Sequence, residues 1–115
     1  MGYEFHADKK RYFEMQRENA ASYVIPFGQQ KVELKPGMTV LEIGCAEGGV
    51  LKAFLDLGMK GTGVELSPSR AATASENLAP EIASGKAEII AQNIYDVDFS
   101  DKYLSAFDLI VLKDV

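Results

Sequence analysis

From residue 39 onward the chain alternates short apolar runs with amphipathic ones. "TVLEIG" (39–44), "KGTGVEL" (60–66), "KAEIIAQN" (86–93) and "FDLIVLKDV" (107–115) are compact apolar runs, and they predict four strands. Between the first two, "GGVLKAFLDLG" (48–58) puts Val50, Phe54 and Leu57 on one helical face and stops at Gly58. After the second strand, Ser67 caps "PSRAATASENLA" (68–79), with Pro68 at the first helical position. That helix has a face of Ala71, Ala74, Ser75 and Leu78, suited to close packing on a sheet. "SDKYLSA" (100–106) predicts a short helix. Upstream, Asp8 is expected to cap a helix through "KKRYFEMQRENAASYVI" (9–25). Phe13, Ala20, Val24 and Phe27 fall near one of its faces, and Pro26 helps end it. "QQKVELKPGM" (29–38) is a linker with a turn at Pro36-Gly37.

Strands alternating with helices predict a parallel sheet with right-handed crossovers. "LIVL" is apolar at every position, as expected for a strand covered on both faces. Ligands of such sheets lie beyond the carboxyl ends of the strands, at the switch point. The polar residues that stand out fall there: Glu42 to Gly49, Glu65, Gln92 to Asp96, and Lys113 with Asp114.

Composition narrows the function. The 115 residues read as one domain, 47% hydrophobic and 25% charged, an ordinary globular balance. The formal net charge is −5 and no basic run stands out, so a nucleic-acid partner is not expected. No apolar run approaches the roughly 20 residues of a membrane-spanning helix, and no secretion signal opens the chain. The single cysteine, Cys45, excludes an internal disulfide and a cysteine-rich zinc site, so no metal is expected and the cytoplasm is the default location.

The loop "VLEIGCAEGG" (40–49) decides the chemistry. A dinucleotide fingerprint reads G-x-G-x-x-G, but here the middle position is Ala46, and Glu42 and Glu47 flank the place of the phosphates. At about 5 Å and an effective dielectric near 20, each such repulsion costs on the order of 3 kcal/mol. A ligand carrying a sulfonium and an ammonium is attracted by the same field.

These residues resemble motif I of the class I S-adenosylmethionine (SAM)-dependent methyltransferases. "GVELS" is similar to the family's second motif, "AQNIYD" to its third and "FDLIVLKDV" to its fourth strand. The resemblance covers about Val32 to Val115, and it divides the chain into an N-terminal helix and linker (1–31) and a SAM-binding Rossmann-like domain (32–115). It implies an α/β, doubly wound parallel sheet ordered 3-2-1-4, part of the family's 3-2-1-4-5-7-6. By the resemblance, Gly44, Ala46 and Gly48, with Cys45 between them, line the methionine part of SAM, and Glu42 meets its ammonium. Glu65, 21 positions after Gly44, accepts from both ribose hydroxyls. Leu66 packs on adenine, Asn93 takes the adenine amino group where relatives often carry Asp, and the Ile94 N–H donates to the ring. Lys113 borders the methyl-transfer site through its backbone.

Ala46, where the family has glycine, fits without strain only if its φ is negative. Cys45 reads as a small turn residue, Asp96 as a turn or capping residue. Asp114 is the one candidate general base. Arg17 reads as a surface residue, and Tyr12, Phe13 and Tyr23 as packing residues; Tyr12, Arg17 and Tyr23 also stand where the family's first helix can reach the methionine carboxylate.

The implied reaction is in-line methyl transfer to a small-molecule acceptor. The D/N-P-P-Y tetrapeptide of the members that methylate planar amino groups is absent after the fourth strand. The chain ends on that strand, so it is expected to hold the SAM half of the fold, to have doubtful turnover alone and to self-associate along the open edge. An NAD-binding oxidoreductase domain and a non-catalytic SAM-fold interaction module remain the alternatives.

Overall fold

The structure, a computed structural model, describes residues 2–93 and 101–112; of residues 2–8 and 101–102 it describes the backbone alone. The expectations placed on Ile94, Asp96, Lys113 and Asp114 lie outside the described residues. The strands are β1 (Thr39–Ile43), β2 (Lys60–Val64), β3 (Ala87–Ile90) and β4 (Leu109–Leu112). All pair in parallel, as the strand-helix alternation implies, and in the order β3-β2-β1-β4 that the family resemblance implies. Ile43 pairs with Val64 and with Leu112, so the carboxyl ends of β1, β2 and β4 lie level.

Helix α3 (Gly49–Leu55) follows β1, and α4 (Pro68–Asn77) follows β2. Ser67 caps α4 as expected: its Oγ accepts the Arg70 N–H at 3.3 Å. A separate helix α5 (Ala79–Ala83) continues the crossover, which the sequence reading stopped at Ala79. Pro80 stands in its first turn, where a missing N–H costs nothing. Helix α6 (Asp101–Leu104) precedes β4.

One face of the sheet, with α3, α4 and the N-terminal helices, encloses the main core: Phe54, Leu51, Met59, Leu78 and Val40 are each at most 1% exposed. Burial of side chains of this size stabilises by about 1.5–3 kcal/mol each. The other face carries a smaller cluster of Leu41, Ile43 and Val64 against Tyr103, Leu104 and Phe107.

Four expectations are corrected. Helix α1 runs over Gly2–Asn19, so Asp8 lies inside it and is no cap. Pro26 does not end the helical region: a π-helical turn, Ala20–Val24, leads into α2 (Ile25–Gln29), with Pro26 in its first turn. The Ile25 N–H reaches back to the Ala20 carbonyl, and the wider turn shifts the inward register by one residue. Ile25 is therefore buried with Phe13 and Ala20, while Val24 and Phe27 are exposed. Finally, β4 is covered on one face among the described residues: Leu109 and Val111 pack on the core, and Ile110 and Leu112 are 40% and 65% exposed.

Candidate functional site

Residues 44–48 form the tight turn from β1 into α3. Gly44 and Gly48 adopt φ of 83° and 92°, which glycine takes without penalty. The N–H groups of Gly44 and Cys45 both donate to the Val64 carbonyl, at 2.8 and 3.1 Å, and the Gly48 N–H closes the turn on the Cys45 carbonyl at 2.9 Å. The first loop is thereby tied to the carboxyl end of β2.

Ala46 has φ of 49°, so the condition for an unstrained alanine is not met. A left-handed backbone costs a residue with a Cβ roughly 1–2 kcal/mol. Ala46→Gly is expected to raise the unfolding free energy by about 1 kcal/mol, after allowing for the extra freedom of glycine in the unfolded chain. Urea unfolding checks this; an unchanged or lower midpoint contradicts the strain.

The Ala46 N–H donates to Glu65 Oε1 at 2.7 Å, and the Ser67 N–H donates to Glu65 Oε2 at 2.9 Å. Glu65 is 7% exposed, and its carboxylate joins the loop after β1 to the start of α4. Each oxygen has a second lone pair beyond the one engaged. Glu42, on β1, is fully buried. Both acids thus stand at the carboxyl ends of neighbouring central strands, beside the glycine turn.

Cys45 is 1% exposed beneath the turn. Gly63 on β2 makes room for it, since a Cβ there would stand 2.8 Å from Sγ. Burial, and then the charges of Glu42, Glu65 and Glu47, push the thiol up to about 12. It stays protonated at neutral pH, which suits the turn-residue reading and not a nucleophile.

Glu47 points away from the role of a charge facing the ligand's phosphates. Its Oε1 accepts from Gln16 Nε2 at 3.0 Å, and its Oε2 is 3.6 Å from Arg70 Nε. Its carbonyl accepts from Asn77 Nδ2 at 2.9 Å. Gln16, Arg70 and Asn77 were not singled out from sequence: the contacts span 23 to 31 residues, and no local spacing encodes them (from 47 to 70, and from 16 to 47).

The first helix reaches the site differently from expectation. Arg17 Nε is 2.8 Å from Asp56 Oδ2, a bond that raises the guanidinium pKa and docks α1 against the end of α3. Tyr12 and Tyr23 are 54% and 72% exposed, so neither packs; Phe13 does. At the rim, Leu66 is 65% exposed and Asn93 half-buried. A cavity of about 300 Å³ is lined by Thr39, Lys60, Thr62, Glu88 and Phe107. It lies at the amino ends of the strands, away from the glycine turn.

Among the described residues no helix is long and apolar enough to cross a membrane. The mycolic acid cyclopropane synthetase family matches residues 9–112. Over 80 residues the chain is 35% identical to the sterol 4-C-methyltransferase of Caenorhabditis elegans, covering 70% of this chain and 23% of that one. Its fold is similar to that of a Methanococcus maripaludis protein assigned as a SAM-dependent methyltransferase, at TM-score 0.70 and 17% identity, over 92% of this chain and 48% of that one. It is also similar to phosphoethanolamine N-methyltransferase 2 of Haemonchus contortus, solved with SAM, at TM-score 0.64 and 23% identity, over 79% of this chain and 20% of that one. The chain therefore spans about a quarter of the curated relative and at most half of these structural neighbours.

Proposed function

Because the chain belongs to the mycolic acid cyclopropane synthetase family and carries a class I SAM-dependent methyltransferase domain, we propose that it binds SAM at the glycine turn and serves methyl transfer to a small-molecule acceptor. The observation that carries this reading is the pair of buried acids, Glu42 and Glu65, flanking a turn held open by Gly44 and Gly48. Two carboxylates with little water to screen them repel a pyrophosphate and favour a cationic ligand with hydroxyl donors. The methionine and ribose parts of SAM have that chemistry.

Glu42 meets the ammonium in this proposal. Glu65 presents its remaining lone pairs to the ribose hydroxyls while its present bonds hold the turn in place. Gly44, Cys45, Ala46 and Gly48 give the backbone surface against which the methionine part lies. Leu66 covers the adenine, with Asn93 accepting from its amino group and the Ile94 N–H donating to its ring. Lys113 borders the transfer site through its backbone, and Asp114 is the candidate base toward the acceptor. When bound, SAM supplies a methyl group on a sulfonium, a leaving group that needs no protein activation. The chain's contribution is then positioning and exclusion of water.

A small-molecule acceptor is supported by relatives named for sterol and phosphoethanolamine methylation. The single buried cysteine suits a reducing compartment such as the cytoplasm. Self-association through β4 belongs to the same proposal, supported by the place of β4 at the end of the sheet among the described residues and by the exposed Ile110 and Leu112 on its face; sedimentation as a monomer at high concentration contradicts it. Calorimetry tests the ligand. S-adenosylhomocysteine is expected to bind in the micromolar range and NADH to give no heat. NADH binding without S-adenosylhomocysteine binding supports the oxidoreductase alternative, and silence of both in a folded chain supports the interaction module.

A further inference from the structure

The carboxamide of Gln16 closes on the first loop with both of its ends. Its Oε1 accepts the Gly49 N–H at 3.3 Å, and its Nε2 donates to Glu47 Oε1 at 3.0 Å. Gly49 opens α3, and Gly48 before it supplies no side-chain cap. The first-turn N–H groups of a helix have no partner within it, and Gln16 provides one from a different helix. The approach is possible because residue 49 is glycine: a Cβ there would stand against the Phe13 carbonyl and 2.5 Å from Gln16 Cβ. Of glutamine, glutamate, lysine and arginine, only glutamine both accepts and donates at neutral pH. A glutamate would set a second carboxylate against Glu47, and a lysine or arginine would offer nothing to the Gly49 N–H.

We propose that Gln16 is a positioning residue of the cofactor site, acting through Glu47 and Gly49. Its fork fixes the loop that lies between Glu42 and Glu65, so docking of α1 and ligand affinity are linked. Glu47 extends the same hold to α4, through Arg70 and Asn77. The four groups make one network from α1 through the loop to α4. The inference rests on the SAM reading above, since it concerns the affinity of that ligand.

The test uses calorimetry with S-adenosylhomocysteine, together with amide exchange at Gly49, on the whole chain. Gln16→Ala is expected to weaken binding about tenfold and to speed Gly49 exchange by a similar factor. Gln16→Glu is expected to weaken binding further, because two carboxylates then abut. Adding Glu47→Gln to Gln16→Glu rebuilds the fork with its polarity reversed: the introduced carboxylate accepts from both the Gly49 N–H and the introduced amide. That double variant is expected to bind within about threefold of the wild type. Rescue of this kind distinguishes a specific fork from general loosening of α1. Equal binding by wild type and Gln16→Ala overturns the inference alone, as does a double variant no better than Gln16→Glu. A folded wild type that does not bind S-adenosylhomocysteine overturns the SAM reading and this inference with it.

Discussion

Glu65→Gln is expected to weaken S-adenosylhomocysteine binding about a hundredfold, the largest single effect on the ligand. The carboxylate accepts the Ala46 N–H with one oxygen and the Ser67 N–H with the other. A glutamine keeps one acceptor and turns an NH2 group toward the other N–H. One of the two backbone donors, the buried Ala46 N–H or the half-buried Ser67 N–H, is then left facing a donor, and the turn loses one of the two ties that Glu65 gives it. The proposed ribose acceptor is weakened by the same change. The unfolding free energy is expected to fall by about 2 kcal/mol. Wild-type affinity in Glu65→Gln, measured by calorimetry, contradicts the role given to this residue.

Gly49→Ala is expected to be the most damaging substitution for stability, by about 3 kcal/mol. Alanine is ordinarily the better helix former by about 1 kcal/mol, so propensity alone predicts the opposite sign. Here the added methyl meets the Phe13 carbonyl and stands 2.5 Å from Gln16 Cβ. Neither is the free end of a flexible side chain. Helix α1 must move off α3, which breaks the Gln16 fork and the Arg17–Asp56 pair together. Urea unfolding measures this. A variant as stable as the wild type means that α1 does not pack on α3 as described.

The sheet was legible because each strand is a short apolar run bounded by glycine or polar residues, and because strand-helix alternation admits few topologies. The same grounds gather the candidate polar residues at the carboxyl ends of the strands, and Glu42, the glycine turn and Glu65 do stand there. The Ser67-Pro68 start and the Gly58 stop were legible too, since they act locally, whereas the Asp8 cap was not borne out. The errors share a cause: each depends on more than local sequence. The face of Val24 and Phe27 was misread because a π-helical turn inserts a residue into the helical period, and nothing in "ENAASYVIPFG" marks it. Tyr12 and Tyr23 were read as packing residues by type, although they fall on the outer side of the N-terminal helices. "LIVL" has the composition of a strand covered on both faces, while the described structure covers only the side of Leu109 and Val111. Within the loop, Glu47 was counted as a charge facing the ligand because it sits within the glycine turn in sequence; its side-chain partners come from α1 and α4. The left-handed φ of Ala46 follows from the way the turn is pinned to Val64 and Glu65, two contacts that are long-range in sequence.

The central claim is that an adenosyl ligand lies on the turn between Glu42 and Glu65, with its ammonium and ribose hydroxyls facing the two acids. Amide chemical shifts during titration with S-adenosylhomocysteine test it most directly, since the N–H groups of Ala46 and Ser67 report on the two oxygens of Glu65. The account predicts that these two amides, with Gly44 and Gly48, shift most and saturate together, and that NADH leaves them unmoved. Shifts confined to Thr39, Lys60 and Glu88 at the other end of the sheet, or the same amides responding to NADH alone, contradict it.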